Sequence, residues 1–534
     1  MPMFARIKTK KQNGKTYRYL QIVENIWNKA RKRGTQRVVL SLGRLENLDR
    51  AKIDKLLSTL ASFSDNVPIL TPETPIAWAR PYGDVLVAEK LWSELGLRDI
   101  LRRIASRRDN EFSFERAVFS MVYDRLADPG SKLSLSEKLM EEYYIPGSEG
   151  LELQHLYRAL DILYENKERI EEKLFSRHRD LFSHQLELVF FDTTSTYFEG
   201  SGEGSELKRF GHSRDKRPER KQLVIGILMT REGMPIACRV FPGNTADART
   251  IGPVLDDLRR RFNIRRVVFV SDRGMVSEAN LKLMASAGYD YIVGVRLNAH
   301  SAREAIAKAV DYDVIKRKGK PDLWVREVVV QGKRYIVCYN PEEALRDKER
   351  RNEMIAQLEK LISDDPKSLI RNKGFRQFIK LGQRPQIDYD KLREAERYDG
   401  KYLIQVSDPD MTAEQAALAY RELWKIERAF RTLKSSLEVR PVYHWTDRRI
   451  EAHVFVCFLA LVMARELELR LNMGGEPDDK RITAERALRV MRRVKAVKIE
   501  LGNKPLIIRT ELSPAFREIL SKLGIQPPPK VIAK

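Results

Sequence analysis

Cysteine is nearly missing from this chain. Its 534 residues include three, Cys238, Cys338 and Cys457, far apart and without a CxxC pair. That excludes a disulfide framework and a Cys-rich structural zinc site, and it fits a reduced, cytoplasmic setting. A membrane span is also missing, because no run reaches the roughly eighteen apolar residues that one requires. The best candidate, Val454–Ala464, stops at Arg465 and Glu466 and reads as a core helix. The N-terminus lacks the apolar stretch of a signal peptide and is rich in Lys and Arg through Lys32. No internal repeat is present.

Positive charge, by contrast, is abundant. Lys and Arg number 98 against 75 Asp and Glu, a formal net charge of +23. Basic surfaces gain affinity for polyanions by releasing counterions, so nucleic acid is the first partner implied. The hydrophobic share of 43% and charged share of 32% are those of a soluble globular protein. At this length about two to four domains are expected.

The organisation reads as α/β. Residues 1–65 form a basic, β-rich region: Thr16–Val23 and Arg37–Gly43 have strand patterning and flank a basic tip, Lys29–Gly34. This is a β-ribbon touching DNA or a solvated loop. Residues 66–80 carry Pro68, Pro72 and Pro75 and suit a linker. The rest of 66–180 is helical, with apolar periodicity in Val85–Leu97, Phe114–Leu126 and Leu153–Leu163. Arg102, Arg103, Arg107 and Arg108 make it a DNA-binding module or a packing domain with solvated arginines. From Leu186 strands and helices alternate. Strands are expected at 186–191, 223–229, 236–241, 266–271 and 290–296, and helices at 250–262 and 277–287. Together these make a mixed sheet with helical cover. Residues 300–405 break that rhythm as a mostly β insertion, so the catalytic module spans 181–300 and 405–475. A C-terminal region, 476–534, ends in a loose, Pro-rich tail at Pro527–Pro529.

Three carboxylates carry the chemistry. Asp192 ends the first of those strands and opens Asp192-Thr193-Thr194-Ser195. Asp272 follows Val267–Val270 in Ser271-Asp272-Arg273-Gly274, and Glu427 lies in a basic, aromatic helix spanning Tyr420–Lys434. Two aspartates at strand ends and a helical glutamate can hold Mg²⁺ or Mn²⁺, two ions in all, open to phosphate. Taken singly, Asp192 and Asp272 could be turn residues and Glu427 a solvated one. At 3.6 residues per turn a spacing of seven nearly returns to one face. Tyr420, Glu427 and Lys434 are so spaced, with Trp424 and Arg431 beside Glu427. Ile426, Ala429, Phe430 and Leu433 pack the other side.

On these residues the chain resembles bacterial and archaeal insertion-sequence transposases of the DDE class, the group with a Tyr-(2)-Arg-(3)-Glu-(6)-Lys signature. Tyr420, Glu427 and Lys434 fit that spacing, and Trp424 and Ile426 fit its context. Further similar blocks are Phe191–Glu199, Gly211–Pro218, Pro242–Asp247 and Ser271–Met275. The resemblance implies a ribonuclease-H-like fold, metal ligands Asp192, Asp272 and Glu427, and cleavage at terminal repeats followed by attack of the freed 3′-OH on target DNA. It further implies phosphate contacts from Tyr420 and Lys434 and stacking of a displaced base on Trp424. Two element ends must be held together, which implies a homodimer. Position 423, where the signature has arginine, holds Leu423. Arg421 or Arg431 would stand in. Arg431 sits one turn beyond Glu427, so Arg431→Ala is expected to weaken cleavage more than Arg421→Ala. His212 and Arg217 lie in a basic loop, Lys208–Lys221, which is a DNA-facing strip or a solvated hairpin. The competing functions are a metal-dependent nuclease or resolvase that cuts without joining, and a domesticated DNA-binding protein.

Overall fold

Runs with strand periodicity pair into four sheets in the computed structural model. It describes residues 3–12, 14–28, 33–61, 75–109, 111–182, 188–199, 204–264, 267–275, 277–297, 299–317, 321–364, 376–380, 385–474, 481–501 and 504–533. The chain forms two units.

The smaller unit comprises Met1–Arg80, Lys495–Thr510 and Pro528–Lys534. Strands β1 (Met3–Gln12), β2 (Lys15–Asn28) and β3 (Arg33–Arg44) form an antiparallel sheet in that order. Gln12 pairs with Lys15 across the two-residue Asn13-Gly14 connection, with Gly14 at φ 75°. An Asn-Gly dipeptide favours such a tight hairpin. Strand β1 was hidden in the sequence by its lysines, which sit along an exposed strand. The tip at Lys29–Lys32 lies outside the described residues, as do Pro68 and Pro72. The expected linker contains most of a strand, β4 (Ile76–Pro81), and another strand, β18 (Val531–Ala533), follows the expected Pro-rich tail. With β16 (Lys495–Leu501) and β17 (Lys504–Arg509) they form a sheet ordered β18-β17-β16-β4.

The larger unit comprises Pro81–Val494 and Glu511–Pro527. Its first strands are β5 (Leu188–Tyr197), β6 (Gln222–Thr230), β7 (Pro235–Pro242), β8 (Val268–Ser271) and β9 (Asp290–Val295). They are followed by β10 (Asp313–Ile315), β11 (Leu323–Val330), β12 (Lys333–Tyr339), a small hairpin β13 (Ile379–Lys380) and β14 (Gln386–Ile387), and β15 (Lys401–Val406). The main sheet runs β10-β11-β12-β15-β9-β8-β5-β6-β7. Within it β5, β8 and β9 are parallel, and β6 and β7 are antiparallel to their neighbours. The order β7-β6-β5-β8-β9, an antiparallel meander continued by two parallel strands, is ribonuclease-H-like. The segment expected as an insertion extends this sheet, because β15 pairs antiparallel with β9 and carries β12, β11 and β10 outward.

Side chains on a strand alternate between faces, and a strand covered on both reads as a continuous apolar run. Leu188 and Phe190 of β5 join one core with Val268 and Val270 of β8. Val189 and Phe191 join another with Phe269, Ile251, Val254 and Leu258. The first core is continuous with the helices Gly83–Glu94, Phe114–Ala127, Leu153–Phe182 and Asp447–Leu471, so the helical stretch has no separate core. Helix Asp447–Leu471 is buried almost all round, as its near-uniform apolarity requires. Among the described residues no helix is long and apolar enough to cross a membrane. The three cysteines are free and buried.

Candidate active site

Strand alternation places the acids. Asp192 shares the parity of Leu188 and Phe190, and Asp272, next after β8, shares that of Val268 and Val270. Both aspartates therefore belong to the face covered by Ile426, Ala429 and Phe430 of the helix Trp424–Arg431. Asp192 does not end its strand, as the sequence suggests. β5 continues to Tyr197 because β6 pairs with it throughout, whereas pairing to β8 stops at Phe190 opposite Val270. Residues 186 and 187 of the expected strand lie outside the described residues.

A cleft of about 1080 Å³ opens there, lined by Asp192, Asp272, Tyr420, Trp424 and Glu427 among others. Asp192 is half-buried. Burial pushes its pKa up to about 7, against the backbone N–H of Thr193 and the Arg214 guanidinium, and Asp272 and Asp247 add to the rise. The Thr193 N–H donates to Asp192 Oδ1 at 2.7 Å. The Tyr420 hydroxyl donates to Asp272 Oδ1 at 3.2 Å. Its ring stacks on Tyr402 with centroids 5.8 Å apart. Gly294 makes this approach possible, since a Cβ there would collide with the Tyr420 hydroxyl. Asp272 and Glu427 are exposed to the cleft, and Trp424 keeps 38% of its surface exposed. The oxygen-only donor set, with the desolvated Asp192 carboxyl beside that of Asp272, suits a hard divalent cation. Among the described residues, however, no three acidic, His or Cys side chains converge closely enough to hold one. Asp192 and Asp272 are electrostatically coupled, and Glu427 lines the same cleft.

The signature helix is not continuous. It consists of Ala413–Arg421, Trp424–Arg431 and a π-helical turn, Thr432–Ser436. Between the first two the turns tighten: Leu423 N–H donates to Tyr420 O, Lys425 N–H to Glu422 O and Ile426 N–H to Leu423 O. Tightening and widening change the rotation per residue, so heptad spacing does not keep one face. Tyr420, Trp424 and Glu427 still reach the cleft. Lys434 does not: its Nζ donates to Asp215 Oδ1 at 2.8 Å, and Arg440 pairs with the same carboxylate. Arg431 is exposed outside the cleft lining, whereas Arg421 is within it. His212 and Arg217 lie exposed in their loop, outside the lining, with Arg217 3.6 Å from Glu219. Leu423 is buried, 8% exposed. Sequence reasoning passed over Asp247 and took Arg214 only as one cation of the Lys208–Lys221 loop, yet the two bond each other at 2.7 Å beside Thr193. Both fall in blocks already noted, but nothing local marks them.

These features meet in one class. Residues 183–463, more than half the chain, match the transposase DDE domain family, so the chain belongs to the transposases built on that domain. More particularly, residues 5–73 match the N-terminal domain of IS1634 family transposases. No curated protein matches the chain. Among solved structures, the Mos1 transposase paired-end complex with left transposon end is similar at 14% identity. The likeness covers 34% of this chain and 60% of that one at a TM-score of 0.15, too little to carry an argument.

Proposed function

We propose that the protein moves an insertion sequence by binding its terminal repeats, cutting DNA there and joining the freed 3′-OH to target DNA. The observation that carries this is the shared cleft of Asp192, Asp272 and Glu427 on a ribonuclease-H-like sheet, with Tyr420 bonded to Asp272. Asp192, Asp272 and Glu427 would hold Mg²⁺ or Mn²⁺. When bound, such cations neutralise phosphate charge and lower the pKa of an attacking water or hydroxyl. The chain's own residues do the rest. Tyr420 fixes the rotamer of Asp272, and Trp424 offers an exposed ring to an unstacked base. Arg231, Arg273 and Arg421 line the cleft and supply cations for DNA phosphates. Duplex DNA is the partner, and two copies of the chain would hold two ends.

The test is incubation of the full chain with Mg²⁺ and end-repeat DNA, beside Asp272→Ala. Cleavage with joining by the wild type, lost in the variant, supports the reading. Cleavage without joining supports a nuclease, binding without cleavage a domesticated protein, and equal activity of both chains removes the acids from the mechanism.

A further inference from the structure

Asp247 lies 55 residues beyond Asp192 and 25 before Asp272, yet it touches the surroundings of both. Its Oδ1 accepts from Thr193 Oγ1 at 2.7 Å. Its Oδ2 accepts from Arg214 Nη2 at 2.7 Å, and the same Nη2 donates to Thr193 Oγ1 at 3.0 Å. On the other side Asp247 rests on Gly274, where a Cβ would stand 3.2 Å from Oδ2. Its own turn is fixed by Thr250 Oγ1, which donates to the Asp247 carbonyl at 2.6 Å. Asn280 Nδ2 then ties that turn to the Asp272 turn, donating at 2.8 Å to both Ala248 O and Met275 O.

The geometry points to Asp247 as a positioning residue. It braces β5 at Thr193 against the Arg273-Gly274 turn and so sets the separation of Asp192 and Asp272. Thr193 has the parity of Val189 and Phe191, the face opposite Asp192. Asp247 therefore acts from behind the sheet, through backbone, rather than as a further ligand in the cleft. Carboxylate chemistry is needed because two donors, a hydroxyl and a guanidinium, converge on it. An amide would turn an NH₂ toward one of them. This inference rests on the assignment of Asp192 and Asp272 as the metal-holding pair.

The experiment uses full-length Asp247→Asn, Thr193→Val, Thr193→Ser and, as a control, Asp192→Asn. Mn²⁺ binding is measured by calorimetry without DNA, and the Mg²⁺ concentration for half-maximal end cleavage is measured separately. Metal-free melting temperature reports folding. Asp247→Asn and Thr193→Val are expected to weaken both metal readouts about tenfold, the scale of outer-shell substitutions. Thr193→Ser keeps the hydroxyl and is expected to match the wild type. Unchanged metal affinity in Asp247→Asn, or equal impairment in Thr193→Ser and Thr193→Val, overturns the brace. If that result accompanies loss of binding in Asp192→Asn, the active-site assignment stands without it. Wild-type binding and cleavage by Asp192→Asn instead overturns the active-site assignment and the brace together.

Discussion

Tyr420 shows how much one hydroxyl decides. It is wedged between Gly294 and Asp272, so a carboxylate lining the cleft is oriented by a group that would otherwise read as a DNA contact. Tyr420→Phe keeps the stack on Tyr402 but frees Asp272. It is expected to slow single-turnover end cleavage about tenfold with little change in melting temperature. Gly294→Ala should reproduce that defect by displacing the hydroxyl, and a normal rate in Gly294→Ala would contradict the wedge. Leu423 gives the opposite lesson. Although the related signature has arginine here, the side chain is buried, and an unpaired buried charge costs about 3–5 kcal/mol. Leu423→Arg should therefore lower the melting temperature without raising cleavage. As candidates, Asp192 and Asp272 were legible because apolar strand runs and local motifs mark them, and Glu427 because of the basic, aromatic helix around it. The Asp247–Thr193–Arg214 cluster was not, because its members are 54 and 33 positions apart and meet only in the folded sheet.

Elements were legible wherever period and caps agreed. Strands β6 and β9 coincide with the runs expected at 223–229 and 290–296, and helix Asp447–Leu471 contains the core helix expected at Val454–Ala464. The failures have physical causes. A uniform 3.6-residue repeat across Tyr420–Lys434 predicts one shared face, but the chain tightens at Glu422–Leu423 and widens at Thr432–Ser436. That rotation takes Lys434 to Asp215 and leaves Arg431 outside the cleft while Arg421 lines it. The expected order of effects therefore reverses. Arg421→Ala should weaken cleavage of element ends more than Arg431→Ala, measured as rate against DNA concentration, and the opposite order would restore the heptad reading. Lys434→Ala should lower the melting temperature, because it leaves the nearly buried Asp215 carboxylate with Arg440 alone.

For the whole molecule, a net charge of +23 predicts salt-sensitive DNA binding. If 6–10 phosphates are contacted, affinity should drop by roughly 10³–10⁵ between 50 and 200 mM salt. A flat salt profile would mean that the charge serves another purpose. Acid should also unfold the larger unit in a defined window. Burial, with Lys132 and Arg125 nearby, pushes His444 down to about 3 from 6.5, and burial beside the same cations lowers His453. These imidazoles are neutral in the fold and take up protons on unfolding. The stability they contribute is thus present above pH 6.5 and is lost as pH falls toward 3. His444→Asn should flatten the melting temperature against pH across that range. The joining of β15 to β9 bears on how such a protein can lengthen over evolution. A residue added within β5 before Asp192 would turn the carboxylate to the far side of the sheet. The 105-residue excursion between β9 and β15, by contrast, leaves and returns at neighbouring strands without disturbing a single parity upstream. New length can therefore accumulate at that edge while the acids stay in place.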